Sequence, residues 1–207
     1  SPRVGLFDYG SGNLHSARRA FANAGADVVL TGDLGELARC DGLVVPGVGA
    51  FATCMTGLSQ AGGVELIRDW VASGRPLLGI CVGHQVLFEQ GTEHGTSVAG
   101  LGIHPGTVSQ LAARRLPHMG WNSLNVAAPC PLLEGVAPSA EFYFVHGYYV
   151  EPDPTFVIAT TTYGKQFCSV YGRDGLWATQ FHPEKSGRPG LTILRNFYDY
   201  CEARHAQ

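Results

Sequence analysis

Short uninterrupted apolar runs alternate with stretches of helical spacing through the first part of the chain. Val4–Phe7 ends at Asp8-Tyr9-Gly10-Ser11-Gly12, and Asn13 to Ala24 then sets Leu14, Ala17, Ala20, Phe21 and Ala24 on one helix face. Gly25 stops that helix. Val28-Val29-Leu30 and Gly42-Leu43-Val44-Val45 predict two more strands, the second cut by Pro46-Gly47. A helical region closing near Ser73-Gly74 leads to a fourth strand, Pro76–Ile80. Strands that are apolar throughout, rather than alternating, are buried on both faces, as in a parallel sheet between helix layers.

Past Leu101 the pattern changes. Short β-like runs at 106–111, 142–145, 156–160, 167–171 and 176–181 are separated by Gly, Pro and Asp turns with few helices between, which predicts antiparallel pairing. At the end, Leu191, Leu194, Phe197, Tyr198 and Cys201 share one helix face that should dock on the sheet. The prediction is an α/β fold with three layers, a mostly parallel central sheet flanked by helices, and an antiparallel extension in the second half. At 207 residues, a single domain over 1–207 is expected. Arg114-Arg115 reads as a polar turn.

Composition narrows the function. A chain that is 45% hydrophobic and 15% charged is folded, and a net charge of -3 without a basic stripe argues against nucleic acid. No apolar segment approaches the ~20 residues needed to span a bilayer, and the N-terminal run lacks a signal-peptide pattern, so no membrane association and a cytoplasmic location are expected. Six cysteines, none in a C-x-x-C pair, predict neither a metal site nor a redox motif. No cofactor is called for.

Chemistry concentrates at three places. Gly79-Ile80-Cys81-Val82-Gly83 follows a strand and precedes the helix-like His84–Glu89, the pattern of a nucleophile elbow. The turn strains the nucleophile, the flanking glycines relieve crowding, and a helix N-terminus favours thiolate. Phe181-His182-Pro183-Glu184 closes another strand: His182 suits the base and Glu184 the group that fixes its tautomer, with i, i+2 spacing in extended chain directing both to one side. In a glycine loop, Pro46-Gly47-Val48-Gly49, the backbone can turn N–H groups toward an oxyanion, with the Val82 N–H as second donor. Each has a plainer reading: a buried structural cysteine, a solvated surface histidine, an ordinary β-turn. The combination supplies nucleophile, base, orienter and donors together, and that favours catalysis. The other five cysteines lack such context and read as structural. Asp8–Asn13 is not a dinucleotide loop, because the third glycine position falls on His15.

These three segments resemble the signatures of the class I, or triad, glutamine amidotransferases, in the same order. Asp8–Leu14, Pro117-His118-Met119-Gly120-Trp121-Asn122 and Tyr143–Tyr149, with Lys185-Ser186, are further similar to the glutaminase-subunit family of imidazole glycerol phosphate synthases. The resemblance implies a flavodoxin-like sheet, a Cys81–His182–Glu184 triad and an oxyanion hole at Gly49 and Val82. It implies L-glutamine as substrate, gripped by Gly47, Gln85, Glu93, His146, Gly147 and Tyr148. The ammonia would pass to a cyclase subunit, a (β/α)8 barrel forming a heterodimer, with Asn13, Tyr143 and Lys185 facing it. That partner would make imidazole glycerol phosphate and an aminoimidazole carboxamide ribotide in histidine biosynthesis. Two positions depart from the family pattern: His84 replaces an expected Met, and Gly147 an expected Ser or Thr. His84, three residues past the nucleophile on a helix, is expected either to approach the sulfur or to pack on the partner side or a backbone group. Competing readings are the glutaminase of another synthase (pyridoxal phosphate or purine pathway), a cysteine hydrolase of another γ-glutamyl compound, and a non-catalytic α/β binding module.

Overall fold

The structure is a computed structural model that describes residues 1–93, 95–111, 113 and 115–206; Arg114 of the expected polar turn lies outside them. The first part runs β1 (Val4–Phe7), α1 (Leu14–Asn23), β2 (Val28–Thr31), α2 (Leu34–Ala38), β3 (Gly42–Val45), α3 (Phe51–Gln60), α4 (Gly63–Ala72), β4 (Leu77–Ile80) and α5 (Val82–Gln85). The rest runs β5 (Gln90–Glu93), β6 (Thr96–Ala99), β7 (Gly106–Gln110), β8 (His118–Ser123), β9 (Asn125–Val126), β10 (Glu141–His146), β11 (Tyr148–Pro152), β12 (Val157–Tyr163), β13 (Lys165–Arg173), β14 (Leu176–Thr179) and α6 (Gly187–His205).

Local chemistry sets several boundaries. Helix α1 buries Ala17, Ala20 and Phe21 and ends as its apolar face runs out. Gly25 takes φ 85, its N–H donates to Ala22 O, and the Ala26 N–H reaches back to Phe21 O. This paired closure satisfies two end carbonyls, and the left-handed position suits glycine. Asp33 caps α2 by accepting the Glu36 N–H at 2.9 Å.

The main sheet has the order β2-β1-β3-β4-β14-β13-β12-β9. From β2 to β14 neighbours are parallel; from β14 to β9 they are antiparallel. The parallel half has the 2-1-3-4-5 order of flavodoxin-like sheets, with β14 arriving from far along the chain as the fifth strand. Its strands β1, β3 and β4 are buried at every residue, which is why they carry continuous apolar runs. Helices α1 and α6 pack together, as do α2, α3 and α4, giving the outer layers. Two smaller sheets, β10-β8 and β11-β7-β5-β6, extend the second half. No helix among the described residues is long and apolar enough to cross a membrane.

The helix expected over His84–Glu89 is only one turn long, ending at Gln85. Beyond it the carbonyls of Val86, Leu87 and Phe88 accept N–H groups of Leu101, Ile103, His104 and Gly102, so a neighbouring segment takes the bonds that would have continued the helix. Strands β5, β6, β8 and β11 were not legible as apolar runs: β5 reads Gln-Gly-Thr-Glu and β8 interleaves His118, Gly120 and Asn122.

Candidate active site

Adjacent strands β3, β4 and β14 end side by side, and each hands the chain to one functional segment: the loop Pro46–Gly49, then Cys81, then Gln180 to His182. Carboxyl ends of parallel strands are where α/β sheets open a crevice.

Cys81 occupies φ 57, ψ -111, a conformation that non-glycine residues rarely hold. The elbow's glycines are required by backbone rather than by the sulfur. A Cβ on Gly79 would sit 2.6 Å from Gly83 O, and one on Gly83 would sit 1.9 Å from Val45 O. The turn therefore lies directly against β3. The Cys81 thiol donates toward the Val145 carbonyl at 3.8 Å, and the Gln180 side-chain Nε2 donates to the sulfur at 3.7 Å.

His182 follows β14 and is 1% exposed. Its backbone is clamped: its N–H donates to Tyr143 O at 2.9 Å, and its carbonyl accepts the buried Ser186 hydroxyl at 2.6 Å. Its Nδ1 donates to Glu184 Oε1 at 2.6 Å. The two side chains meet because Pro183–Lys185 forms a 3-10 turn, not because of an extended i, i+2 segment as the spacing suggested. Burial alone would lower the imidazole pKa, but the Cys81 sulfur and the Glu184 carboxylate override it and raise it to about 10. Nε2 makes no hydrogen bond of ordinary geometry, so the sulfur acts on it by proximity.

Of the two expected oxyanion donors, Val82 is engaged elsewhere, and the residue before Gly49 is held by Ser11. Val82 N–H donates to Gly47 O at 3.1 Å, and Val48 N–H donates to Ser11 Oγ at 3.0 Å. Ser11 Oγ also lies 3.2 Å from Val48 O, so the loop after β1 braces the glycine loop from outside. Gly47 is wedged, since a Cβ there would lie 2.8 Å from Gly83 N; Gly49 is exposed at φ 82. The buried Tyr9 hydroxyl donates to Pro46 O and fixes the other end of the loop.

Of the expected substrate contacts, Gln85 and Tyr148 meet directly: Gln85 Nε2 donates to the Tyr148 carbonyl at 3.2 Å and to Gln180 Oε1 at 3.1 Å. His146 Nδ1 donates to the same carbonyl at 2.8 Å. Glu93 Oε1 instead accepts the Phe51 N–H at 2.8 Å, at the start of α3. Gly147 has open space where a Cβ would lie, so its missing hydroxyl leaves room rather than relieving a clash. Tyr143 and Lys185, expected to face a partner, come together: the Lys185 ammonium sits 6.0 Å from the Tyr143 ring centre, and the Trp121 ring meets Tyr143 in a T-shaped contact with centroids 5.9 Å apart. Trp121 and Met119, 56% and 63% exposed, extend this apolar face. Asn13, the third expected partner residue, precedes α1 without capping it through its side chain.

His84 fulfils none of the roles expected of it. It is fully buried, both ring nitrogens lack hydrogen-bond partners, and its ring packs against Phe88 at 5.6 Å. Burial, then the neighbouring His104 and His146, lower its pKa to about 3. It is neutral at physiological pH and brings no positive charge to the sulfur.

Sequence reasoning passed over Gln180 and Ser11. Gln180 carried a signal: a polar residue at the end of an apolar buried strand, two positions before His182. Ser11 carried none, since its partner Val48 is 37 residues away.

The class-I glutamine amidotransferase family model matches residues 5–201. The chain is 50% identical to the imidazole glycerol phosphate synthase subunit HisH of Desulfovibrio desulfuricans, over 99% of this chain and all of that one. It is 52% identical to the subunit of that name from Cutibacterium acnes, over 93% of this chain and 94% of the relative. Among solved structures, a glutamine amidotransferase superposes with TM-score 0.75 at 22% identity, covering 96% of this chain and 98% of that one. PurLQS from Thermotoga maritima superposes with TM-score 0.74 at 17% identity, covering 96% and 98%. The two structural likenesses concern the fold; the full-length match and the half-identical relatives decide the lineage, and the chain belongs to the class-I glutamine amidotransferases.

Proposed function

We propose that this chain is the glutaminase subunit of an imidazole glycerol phosphate synthase, hydrolysing L-glutamine to glutamate and ammonia for a cyclase subunit. The observation that carries the reading is a strained cysteine, Cys81 at φ 57, on a strand end beside the buried His182–Glu184 pair. Relatives of that name at about half identity over nearly the whole chain support the choice of synthase. The match over 5–201 supports reading 1–207 as one glutamine amidotransferase domain.

In the proposed reaction the Cys81 thiolate attacks the carboxamide carbon of glutamine, and the C=O electrons move onto oxygen. As the tetrahedral adduct collapses, His182 gives a proton to the departing nitrogen, releasing ammonia and leaving a γ-glutamyl thioester. His182 then takes a proton from water, which attacks the thioester; expulsion of sulfur yields glutamate and restores the thiolate. Glu184 holds the imidazole and offsets its charge. Gln85, Glu93, Tyr148 and the backbone around His146, Gly147 and Gly47 form the glutamine pocket in this reading. The oxyanion is received by the N–H groups of Val82 and Gly49.

The Val82 N–H is held by Gly47 O, so the oxyanion site has to be completed by movement of the glycine loop. Low activity alone and a large rise with partner and nucleotide bound follow from that. Ammonia would pass to a (β/α)8-barrel cyclase docking on the face of Tyr143, Lys185, Trp121 and the Asn13 loop. We further place the protein in the cytoplasm, where thiols stay reduced, a reading supported by six free cysteines.

The test mixes the protein with the cyclase barrel and its nucleotide ligand and measures glutamate release. Stimulation lost in Cys81→Ala, with ammonia-dependent synthesis by the barrel retained, is the expected result. Glutamine use that persists in Cys81→Ala would overturn the assignment.

A further inference from the structure

We propose that Gln180 is a thiolate-stabilising donor of the active site, and that a fixed chain of hydrogen bonds aims its N–H at the Cys81 sulfur. The inference rests on Cys81 being the glutaminase nucleophile.

Carboxamides can present either end, so the effect of Gln180 on Cys81 depends on which end faces the sulfur. The Tyr148 carbonyl can only accept, so the Gln85 atom 3.2 Å from it is the NH2 group. That NH2 also lies 3.1 Å from Gln180, whose facing atom must then be the acceptor Oε1. The remaining end, Nε2, is left pointing at Cys81 Sγ at 3.7 Å. No alternative flip survives, because reversing Gln180 alone would oppose two donors, and reversing Gln85 would oppose two acceptors at Tyr148.

The anchor carbonyl is itself held from the other side. His146 Nδ1 must donate to it, at 2.8 Å, which makes His146 Nε2 an acceptor in the neutral ring. His118 Nδ1 therefore donates to that nitrogen at 2.9 Å, and His118 Nε2, 3.3 Å from the Asn122 side-chain NH2, accepts. Asn122 is tied in turn to Thr162 O at 2.9 Å. Each orientation in the series follows from the one before it, and Gln85, His118, His146 and Gln180 are all buried.

Position and backbone suit Gln180 to this role. It is 0% exposed and its own N–H is locked to Ser169 O at 2.9 Å. The two polar groups on the sulfur oppose each other: the Val145 carbonyl can accept only from a thiol, whereas the Gln180 N–H strengthens when the sulfur is an anion. The balance between thiol and thiolate is thus set partly by this one amide.

The test measures Cys81 alkylation by iodoacetamide across pH, resolved from the other five cysteines by peptide mass spectrometry, in the full chain. Gln180→Met keeps length and removes the donor; Gln180→Glu keeps shape and replaces the donor by an acceptor. Both should move the alkylation inflection up by about one pH unit, with the larger shift in Gln180→Glu. In complex with the cyclase, the acid limb of kcat should move up by the same amount, so that kcat falls on the acid side and recovers as pH rises, because the missing thiolate returns. A packing role alone would lower kcat at every pH and leave the inflection in place, and that outcome overturns the proposal. In the unsubstituted protein, the Gln180 side-chain NH2 resonance should titrate with Cys81, a readout independent of how the variants fold; a flat resonance would also overturn it. Absence of any Cys81 reactivity and of glutamine hydrolysis in the unsubstituted complex would remove the nucleophile itself, and both readings with it.

Discussion

Replacing His84 by Met should make the protein less sensitive to acid. The ring is fully buried, neither nitrogen has a partner, and its pKa falls from 6.5 to about 3. In the unfolded chain the same imidazole binds a proton below about 6.5. Between those two values the unfolded state holds one more proton than the folded state, so stability is complete above 6.5 and is lost as pH falls. At pH 5.5, one unit below the unfolded value, the loss from this residue is about 1.4 kcal/mol. His104, His118 and His146 are lowered in the same direction, chiefly by burial, to about 4, 4 and 3. All four together lose on the order of 6 kcal/mol, comparable with the whole stability of many domains. His84→Met removes one share. It also removes two unpartnered ring nitrogens, whose burial costs about 1–3 kcal/mol, and puts an adaptable thioether in their place. Urea unfolding at pH 7.5 should therefore show a stabilised variant, and the drop on moving to pH 5.5 should be smaller by about 1.4 kcal/mol, or ~0.7 M in midpoint for a slope of about 2 kcal/mol/M. Equal pH dependence in the two proteins would refute the reasoning, because it would mean that the ring is solvated or paired. The Cys81 alkylation profile should not move, since the ring is neutral throughout the range.

Three other perturbations address the site. Ser11→Ala removes the hydroxyl that accepts the Val48 N–H at 3.0 Å and so frees the glycine loop; glutaminase activity without a partner should rise severalfold, read as glutamate release, and an unchanged rate would separate the brace from the gate. Gly83→Ala forces a Cβ to 1.9 Å from Val45 O, and should lower stability by about 3 kcal/mol with loss of activity; a urea midpoint equal to the parent's would show that β3 yields freely. Glu184→Gln keeps a hydrogen-bond acceptor for His182 but removes the charge. The parent pair stabilises fully below about pH 6.5 and fades as pH climbs to about 10, so the variant should lose this alkaline dependence in thermal unfolding, and the alkaline limb of kcat should move to lower pH; profiles that coincide would exclude the pair from catalysis.

Much of this protein was legible in its residues because the signals were local. Continuous apolar runs at β1, β3 and β4 needed burial on both faces, and that requirement alone called for a parallel sheet with helices on either side. Gly79, Cys81 and Gly83 marked a tight elbow because only glycine fits where backbone meets backbone. His182-Pro183-Glu184 lay within one turn, so base and orienter could be paired without knowing the fold. What tertiary structure alone decided were contacts between segments far apart in the chain. The helix after Cys81 stops after one turn because residues 101–104 capture its next carbonyls. Val82 and Val48 direct their amides to Gly47 and Ser11, so whether the glycine loop offers donors depends on packing and not on its sequence. The sense of the Gln180 amide depends on Gln85 and on the Tyr148 carbonyl that Gln85 donates to, residues 95 and 32 positions away in the chain. Residue type fixes which groups can donate, accept or ionise; only the three-dimensional arrangement fixes which partner each one finds, and hence which charge state burial allows it to keep.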